Sequence, residues 1–241
     1  MKKIPILLLT LSIIYGCAPS TNVLDSSVYT SISIDNTLSE STVMDSVIAP
    51  YKSKLDGQMN QVISFTAEDL IISNPVGTLG NFVCDLSVEM AEKETGVSID
   101  MCLMNNGGLR APIFKGEITR RHVFKLMPFD NALYVVTMKG EAMNEMLNYI
   151  AERHEPTSGL KMGIKDNKPV KPIINGLPFD KNKEYKVLTS DYLYHGGDKM
   201  YFFQKSIKVD NVDMLIRDAI MEYTETHNPL VIDQSTRLYF L

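Results

Sequence analysis

The chain has no tryptophan, three cysteines and four histidines in 241 residues. Three cysteines do not make the disulfide framework of a small stapled scaffold. The four histidines, His122, His154, His195 and His227, sit in none of the Asp-x-His or Gly-Asn-His-Asp/Glu patterns that supply a two-metal hydrolytic centre. Positive charge is also short: 24 Lys and Arg face 29 Asp and Glu, a net charge of −5. That balance argues against a nucleic-acid polymer as partner, because such binding takes a basic surface. It leaves room for one small anion, since a single pocket Arg outweighs a distant surface field. No Walker-type phosphate loop and no Ser/His/Asp arrangement can be read from the spacing. The N-terminal apolar run, residues 4–15, is too short to span a bilayer comfortably.

That run nevertheless carries information. Met1-Lys2-Lys3 is a short positive region, the apolar stretch follows, and Gly16-Cys17 closes it. The junction resembles the lipobox of bacterial lipoproteins. The resemblance implies cleavage after Gly16, lipidation of Cys17 and anchoring to the lipid bilayer, at the periplasmic face of the outer membrane in the bacterial cell envelope. Acyl chains at roughly 0.8 kcal/mol per buried methylene make such an anchor effectively permanent. An ordinary secretory signal with an incidental Cys, or an uncleaved anchor, is the alternative. Residues 17–27 read as a lipidated Cys and a polar tether, leaving 28–241 as the folded domain. Its length fits one large domain or two small ones, and a hydrophobic fraction of 44% is enough for a sizeable core. Cys84 and Cys102 lie in apolar contexts. A disulfide is open to an exported protein, but two small buried hydrophobes is the simpler reading.

Alternation predicts a strand over 28–35. Val43, Met44, Val47, Ile48, Tyr51, Leu55 and Met59 recur at three- and four-residue steps, which predicts a helix to about Asn60 with Pro50 inside it. A second helix is expected from Asn81 to about Gly96, with Phe82, Leu86, Val88, Met90 and Ala91 as its apolar positions. Strands are expected at 99–104, 133–138, 185–189 and 236–241, with His122 at a strand entry. Helices are expected after Lys139, with Met143, Met146, Leu147 and Ile150 inward, and over 212–227. Residues 155–183 are rich in Pro, Gly, Asn and Lys and read as short hairpins. Strands and helices mixed without strict alternation give an α+β class, a single layered mixed-sheet domain.

The most informative segment is Asn105-Asn106-Gly107-Gly108-Leu109-Arg110. It follows an apolar strand, so its side chains leave the core and meet solvent or a ligand. Two glycines allow a tight turn and a close ligand approach. The flanking amide and guanidinium are groups that hold bases, hydroxyls and phosphates.

Three other segments join it in order: Gly80-Asn81, then Pro128-Phe129-Asp130-Asn131, then Tyr192 with Gly196-Gly197-Asp198. Together the four motifs resemble the C-terminal domain of the 5′-nucleotidases, over most of the chain from about Val43 onward. The resemblance implies that domain's fold and a nucleotide-recognition role. It places Phe129 and Tyr192 as two rings that clamp a base, Asp198 on the ribose hydroxyls, and Asn105 and Arg110 on the substrate, with Arg110 toward the sugar-phosphate side. Asn131, Gly196 and Gly197 would shape the pocket. Tyr192 departs from the Phe usual at its position; it stacks equally well and its hydroxyl adds a polar contact. A second departure is the lack of any Arg between Lys54 and Arg110, where the family usually carries one or more. The family's metallophosphatase half, with its divalent metal pair, has no counterpart among these motifs. The expectation is therefore the substrate-recognition half of a split 5′-nucleotidase-type hydrolase, inactive alone and completed by a separate metallophosphatase chain. A non-catalytic nucleoside- or nucleotide-binding lipoprotein is the alternative, and a degenerate assembly domain a third reading.

Overall fold

The computed structural model describes residues 31–33, 35, 39, 41–75 and 77–241. The signal segment, Cys17 and the tether lie outside the described residues, as does part of the strand expected over 28–35. Ser31, Ile32, Ser33 and Asp35 are described and carry no strand, because no partner strand among the described residues pairs with them. Two compact units separate at Val47/Ile48, and all that follows, apart from the start of the first helix, concerns the second.

Helix α1 (Thr42–Met59) runs through Pro50 and buries none of its residues. Its apolar positions Val43, Met44, Val47, Ile48, Tyr51 and Leu55 are all exposed. Periodicity thus found a helix but not a covered face. Its C-terminal end is tied down by Arg121, which pairs with Asp56 at 2.5 Å and with Asn60 at 3.0 Å.

The remaining elements in chain order are β1 (Val62–Thr66), α2 (Thr78–Thr95), β2 (Met101–Leu103), β3 (Gly116–Thr119), α3 (Arg120–Leu126), β4 (Ala132–Lys139) and α4 (Gly140–Arg153). Then come β5 (Thr157–Ser158), β6 (Leu160–Lys165), β7 (Lys168–Ile174), β8 (Leu177–Pro178), β9 (Glu184–Ser190), α5 (Asp191–Tyr194), β10 (Lys208–Leu215), α6 (Ile216–Thr226) and β11 (Leu238–Phe240). A five-stranded sheet of order β10-β4-β9-β2-β5 forms the centre; β9 and β2 are parallel and the other neighbours antiparallel. A four-stranded sheet, β11-β6-β7-β8, and the β1-β3 ribbon complete the mixed α+β fold.

The central sheet is buried on both faces, and alternation along each strand decides which residue goes where. Leu133, Val135, Cys102 and Leu188 join a cluster with α2, α3 and α6. Val136, Met138, Met101, Leu103 and Val187 join the opposite cluster with α4, β6 and the Phe202-Phe203 turn. On α4, Met143, Met146, Leu147 and Ile150 are fully buried, as their three- and four-residue spacing predicts. Helix α2 ends where expected: Gly96 adopts φ 67°, a left-handed cap natural to glycine, and its N–H closes on Glu92. Cys84 and Cys102 are free and fully buried, the hydrophobe reading rather than the disulfide. Burial pushes the Cys102 thiol well above its ordinary range.

Two element expectations are corrected. Residues 212–215, read as the start of the last helix, belong to β10; its pairing with β4 breaks register between Asn211 and Leu215, where Asp213 takes a φ of 58°, and the helix begins only at Ile216. His122, read as a strand entry, lies in α3. There its ring accepts from the Thr119 backbone N–H at 3.1 Å and completes a capping box, a role a strand register would not offer.

Candidate functional site

Three chain crossings meet at one end of the central sheet. Strands β2 and β9 run parallel, so their C-terminal ends lie on the same side. Strand β4 runs antiparallel to β9, so its N-terminal end lies there too. The turn after β2 carries Asn105 to Arg110, the segment before β4 carries Phe129 to Asn131, and the turn after β9 carries Tyr192 to Asp198. Ends of parallel strands next to a reversal are where sheets of this kind leave a crevice. A cleft of about 390 Å³ opens there, lined by Asn105, Gly107, Gly108, Arg110, Phe129, Asn131, Tyr192 and Asp198.

Six of the eight residues singled out from the sequence thus line one cleft. Gly196 and Gly197 do not; they lie behind it and set the turn. Gly196 takes φ 95°. Gly197 lies directly beneath the Tyr192 ring, and a Cβ there would fall 2.4–2.6 Å from three of its carbons. Gly107 and Gly108 line the wall in their place. His195 turns its ring against Tyr194 and Tyr134, at 5.1 and 6.3 Å between centroids, rather than into the cleft.

Phe129 and Tyr192 are 42% and 47% exposed, which is unusual for large aromatics with a core available to them. Asp198 is held from three sides. Asn105 Nδ2 donates to its Oδ2 at 2.6 Å, the Tyr192 hydroxyl donates to its Oδ1 at 3.0 Å, and the Tyr149 hydroxyl donates to its backbone carbonyl at 2.9 Å. Its φ is 50°, in the left-handed region. The hydrogen bond to Asp198, and then the carboxylate's charge, push the Tyr192 phenol above its ordinary pKa. Arg110 donates to the Gly107 carbonyl at 3.2 Å, and its guanidinium carbon stands 5.9 Å from the centre of the Phe129 ring. A cation over an aromatic face is attracted by the ring's negative face.

Besides Tyr149, two supports were missed at the sequence level. Glu155, buried behind the glycine turn, accepts the Asn106 backbone N–H at 2.7 Å and so fixes the start of that turn. Burial raises its carboxyl above the ordinary carboxylate value, against the pull of that N–H. An acid just past a helix end gives no sequence signal of this. Arg217 on α6 reaches the Phe129 carbonyl at 3.4 Å, pairs with Asp130 and lies over the Phe124 ring at 4.9 Å. It braces the Phe129 segment from a helix 88 positions away. The Gly80-Asn81 motif serves packing: Gly80 lies against Pro156, and a Cβ there would meet its ring at 2.6 Å.

With this geometry in hand, similarity to known proteins becomes informative. A family model described as "5'-nucleotidase, C-terminal domain" matches residues 61–205. A cell wall protein of Listeria monocytogenes is 30% identical over 190 residues, covering 67% of this chain and 24% of that protein. A 5'-nucleotidase of Vibrio parahaemolyticus is 22% identical over 212 residues, covering 83% of this chain and 37% of that one. Among solved structures, a 5'-nucleotidase precursor from Thermus thermophilus superposes with a TM-score of 0.70 at 22% identity, covering 83% of this chain and 43% of that chain. The chain therefore spans less than half the length of these relatives. The matched segment runs from just before β1 to the turn after Tyr201, and holds every residue that lines the cleft. The chain belongs to the family of the 5'-nucleotidase C-terminal domain.

Proposed function

We propose that the cleft binds a nucleoside or nucleotide and that this chain is the substrate-recognition half of a split 5′-nucleotidase-type hydrolase. The observation that carries the reading is the convergence of two half-exposed aromatic rings, a carboxylate, an amide and a guanidinium on one cleft. Each group has a distinct task. Phe129 and Tyr192 take the two faces of a base, at roughly 1–3 kcal/mol per stacked base and with little preference among bases. Asp198 accepts from sugar hydroxyls. Arg110 offers a fork of donors to the sugar-phosphate side, and Asn105 holds Asp198 in place while presenting its own amide. Asn131 closes the wall beside Phe129.

The phosphate ester would be cleaved by a separate metallophosphatase chain with a divalent metal pair. Among the described residues no group of three or more His, Cys, Asp or Glu side chains is placed to hold a metal ion. In this reading the chain itself supplies binding and orientation. Lipidation at Cys17 would hold the assembly at the bilayer, on the periplasmic face of the outer membrane.

The test is calorimetry of the purified chain with adenosine, AMP and a UDP-sugar, followed by a phosphate-release assay with and without a metallophosphatase chain from the same source. The expected result is AMP binding that the Phe129→Ala/Tyr192→Ala double variant abolishes, and phosphate release only when the second chain is added. Robust metal-dependent release by the isolated chain would sink the split reading. A second reading, nucleoside capture without catalysis, has one observation in its favour: no Arg lies between Lys54 and Arg110, which leaves fewer cations for a phosphate. Equal affinity for adenosine and AMP supports it.

A further inference from the structure

We infer that the Tyr192 hydroxyl is a specificity-determining group that makes the cleft tolerant of sugars lacking one ribose hydroxyl. The inference rests on the nucleoside reading of the same cleft. It starts from the partners of Asp198. Both carboxylate oxygens already accept from the protein, Oδ2 from Asn105 at 2.6 Å and Oδ1 from Tyr192 at 3.0 Å. The phenol is not there by chance of rotamer. Its ring lies flat on Gly197, where even a methyl group would collide, so turn and ring are fitted to each other. The carboxylate cannot swing away readily either, because Asp198 is set in a left-handed conformation and its carbonyl is tied to Tyr149.

The consequence follows from how hydroxyl specificity arises. A site rejects a ligand that lacks a hydroxyl when the missing group leaves a polar protein atom without a partner. A carboxylate has about four lone-pair sites over its two oxygens. Here each oxygen keeps one protein donor whatever the ligand brings. A ribose can donate to the sites that remain, but a deoxyribose leaves no oxygen bare. With Phe at this position the ring would still stack, but Oδ1 would depend on the sugar for its only donor. Discrimination between ribose and deoxyribose would then appear.

The experiment measures Kd by calorimetry for adenosine, 2′-deoxyadenosine and 3′-deoxyadenosine, with the wild-type chain and with Tyr192→Phe. Melting followed by circular dichroism checks that both are folded. The expected result is that wild type binds all three within about threefold, and that in Tyr192→Phe the preference for adenosine over one of the deoxynucleosides rises by about tenfold. A Tyr192→Phe chain that weakens on all three by the same factor assigns the hydroxyl to ring positioning and overturns the inference. So does a wild-type chain that already rejects either deoxynucleoside by a hundredfold. Absence of binding to any of the three by either chain overturns the nucleoside reading itself, an outcome distinct from a lost preference.

Discussion

Arg237 offers the sharpest test of how the C-terminal segment is held. Its side chain is 6% exposed and lies just ahead of β11. Nη2 pairs with Asp85 on α2 and, at 3.3 Å, with Asp233; Nη1 donates to the carbonyl of Thr157 in β5 and, at 3.5 Å, to that of Asn81. One guanidinium therefore joins the tail, α2 and the edge of the central sheet. Replacing it in Arg237→Met keeps much of the stem's packing and removes every donor. Stranding one partner of a buried pair costs about 3–5 kcal/mol. Asp85 is 35% exposed and keeps the Ser158 hydroxyl at 2.6 Å, so water and that hydrogen bond recover part of the loss. Asp233 is 54% exposed and contributes little. The low end of the range, about 3 kcal/mol, is expected. For a chain of this size that lowers Tm by about 6–12 °C. With no tryptophan in the chain, urea unfolding is best followed by far-UV circular dichroism. Asp233→Asn should cost under about 1 kcal/mol, and Arg237→Met/Asp85→Asn should be more stable than Arg237→Met alone. An Arg237→Met chain within about 1 kcal/mol of wild type would refute the reasoning, because it would mean the buried guanidinium is no better placed than a surface one.

Two further predictions concern the groups around the cleft. Glu155 has its folded-state pKa raised by burial, so the folded protein holds that proton more tightly than the unfolded chain does. Stability from this group is therefore full below the unfolded carboxylate value and falls as pH rises through the raised folded value. Glu155→Gln keeps an acceptor for the Asn106 N–H and removes the titration. Its urea midpoint relative to wild type should improve as pH rises from about 4 to 8, and parallel profiles for the two proteins would contradict the burial argument. Gly197→Ala puts a methyl group under the Tyr192 ring. The ring is half exposed, so the methyl group can push it out of its fitted place toward solvent; stability should fall by less than about 1 kcal/mol, while adenosine affinity in calorimetry should drop about tenfold through lost stacking. Unchanged affinity would show that the ring does not stack where it stands.

Much of the fold was legible because burial writes itself into spacing. The α4 positions 143, 146, 147 and 150, and the strands around 133–138 and 185–189, carry periods that only one secondary structure satisfies. What failed had a weaker or borrowed period. Val212 stands four residues before Ile216 and two before Met214, so it fits a helix step and a strand step alike, and only the fold places it at the end of β10. The α1 pattern predicted a helix correctly, yet period alone does not say whether anything covers the apolar face. The cleft was legible at its rim, where Asn105, Arg110, Phe129, Asn131, Tyr192 and Asp198 belong to short turn motifs. Its supports were not. Glu155, Arg217 and Tyr149 act from 49 to 88 positions away from the residues they hold, and no local pattern records such a contact.

Those distant supports explain how a strained turn persists. Asp198 and Lys199 both have positive φ, 50° and 65°, a conformation that costs a non-glycine residue roughly 1–2 kcal/mol each. The strain aims the Asp198 carboxylate at the cleft, and something must hold it there. The Tyr149 hydroxyl bonds the Asp198 carbonyl, and Tyr149 rides on α4, whose buried face is locked into the cluster beneath the sheet. The opposite ring is braced differently: Phe129 hangs on Arg217, which belongs to α6 and the other cluster. Each side of the cleft is thus anchored to a different core across the central sheet. A cavity made under α4 should disturb the carboxylate side and leave Phe129 in place, and one made under α6 should do the reverse.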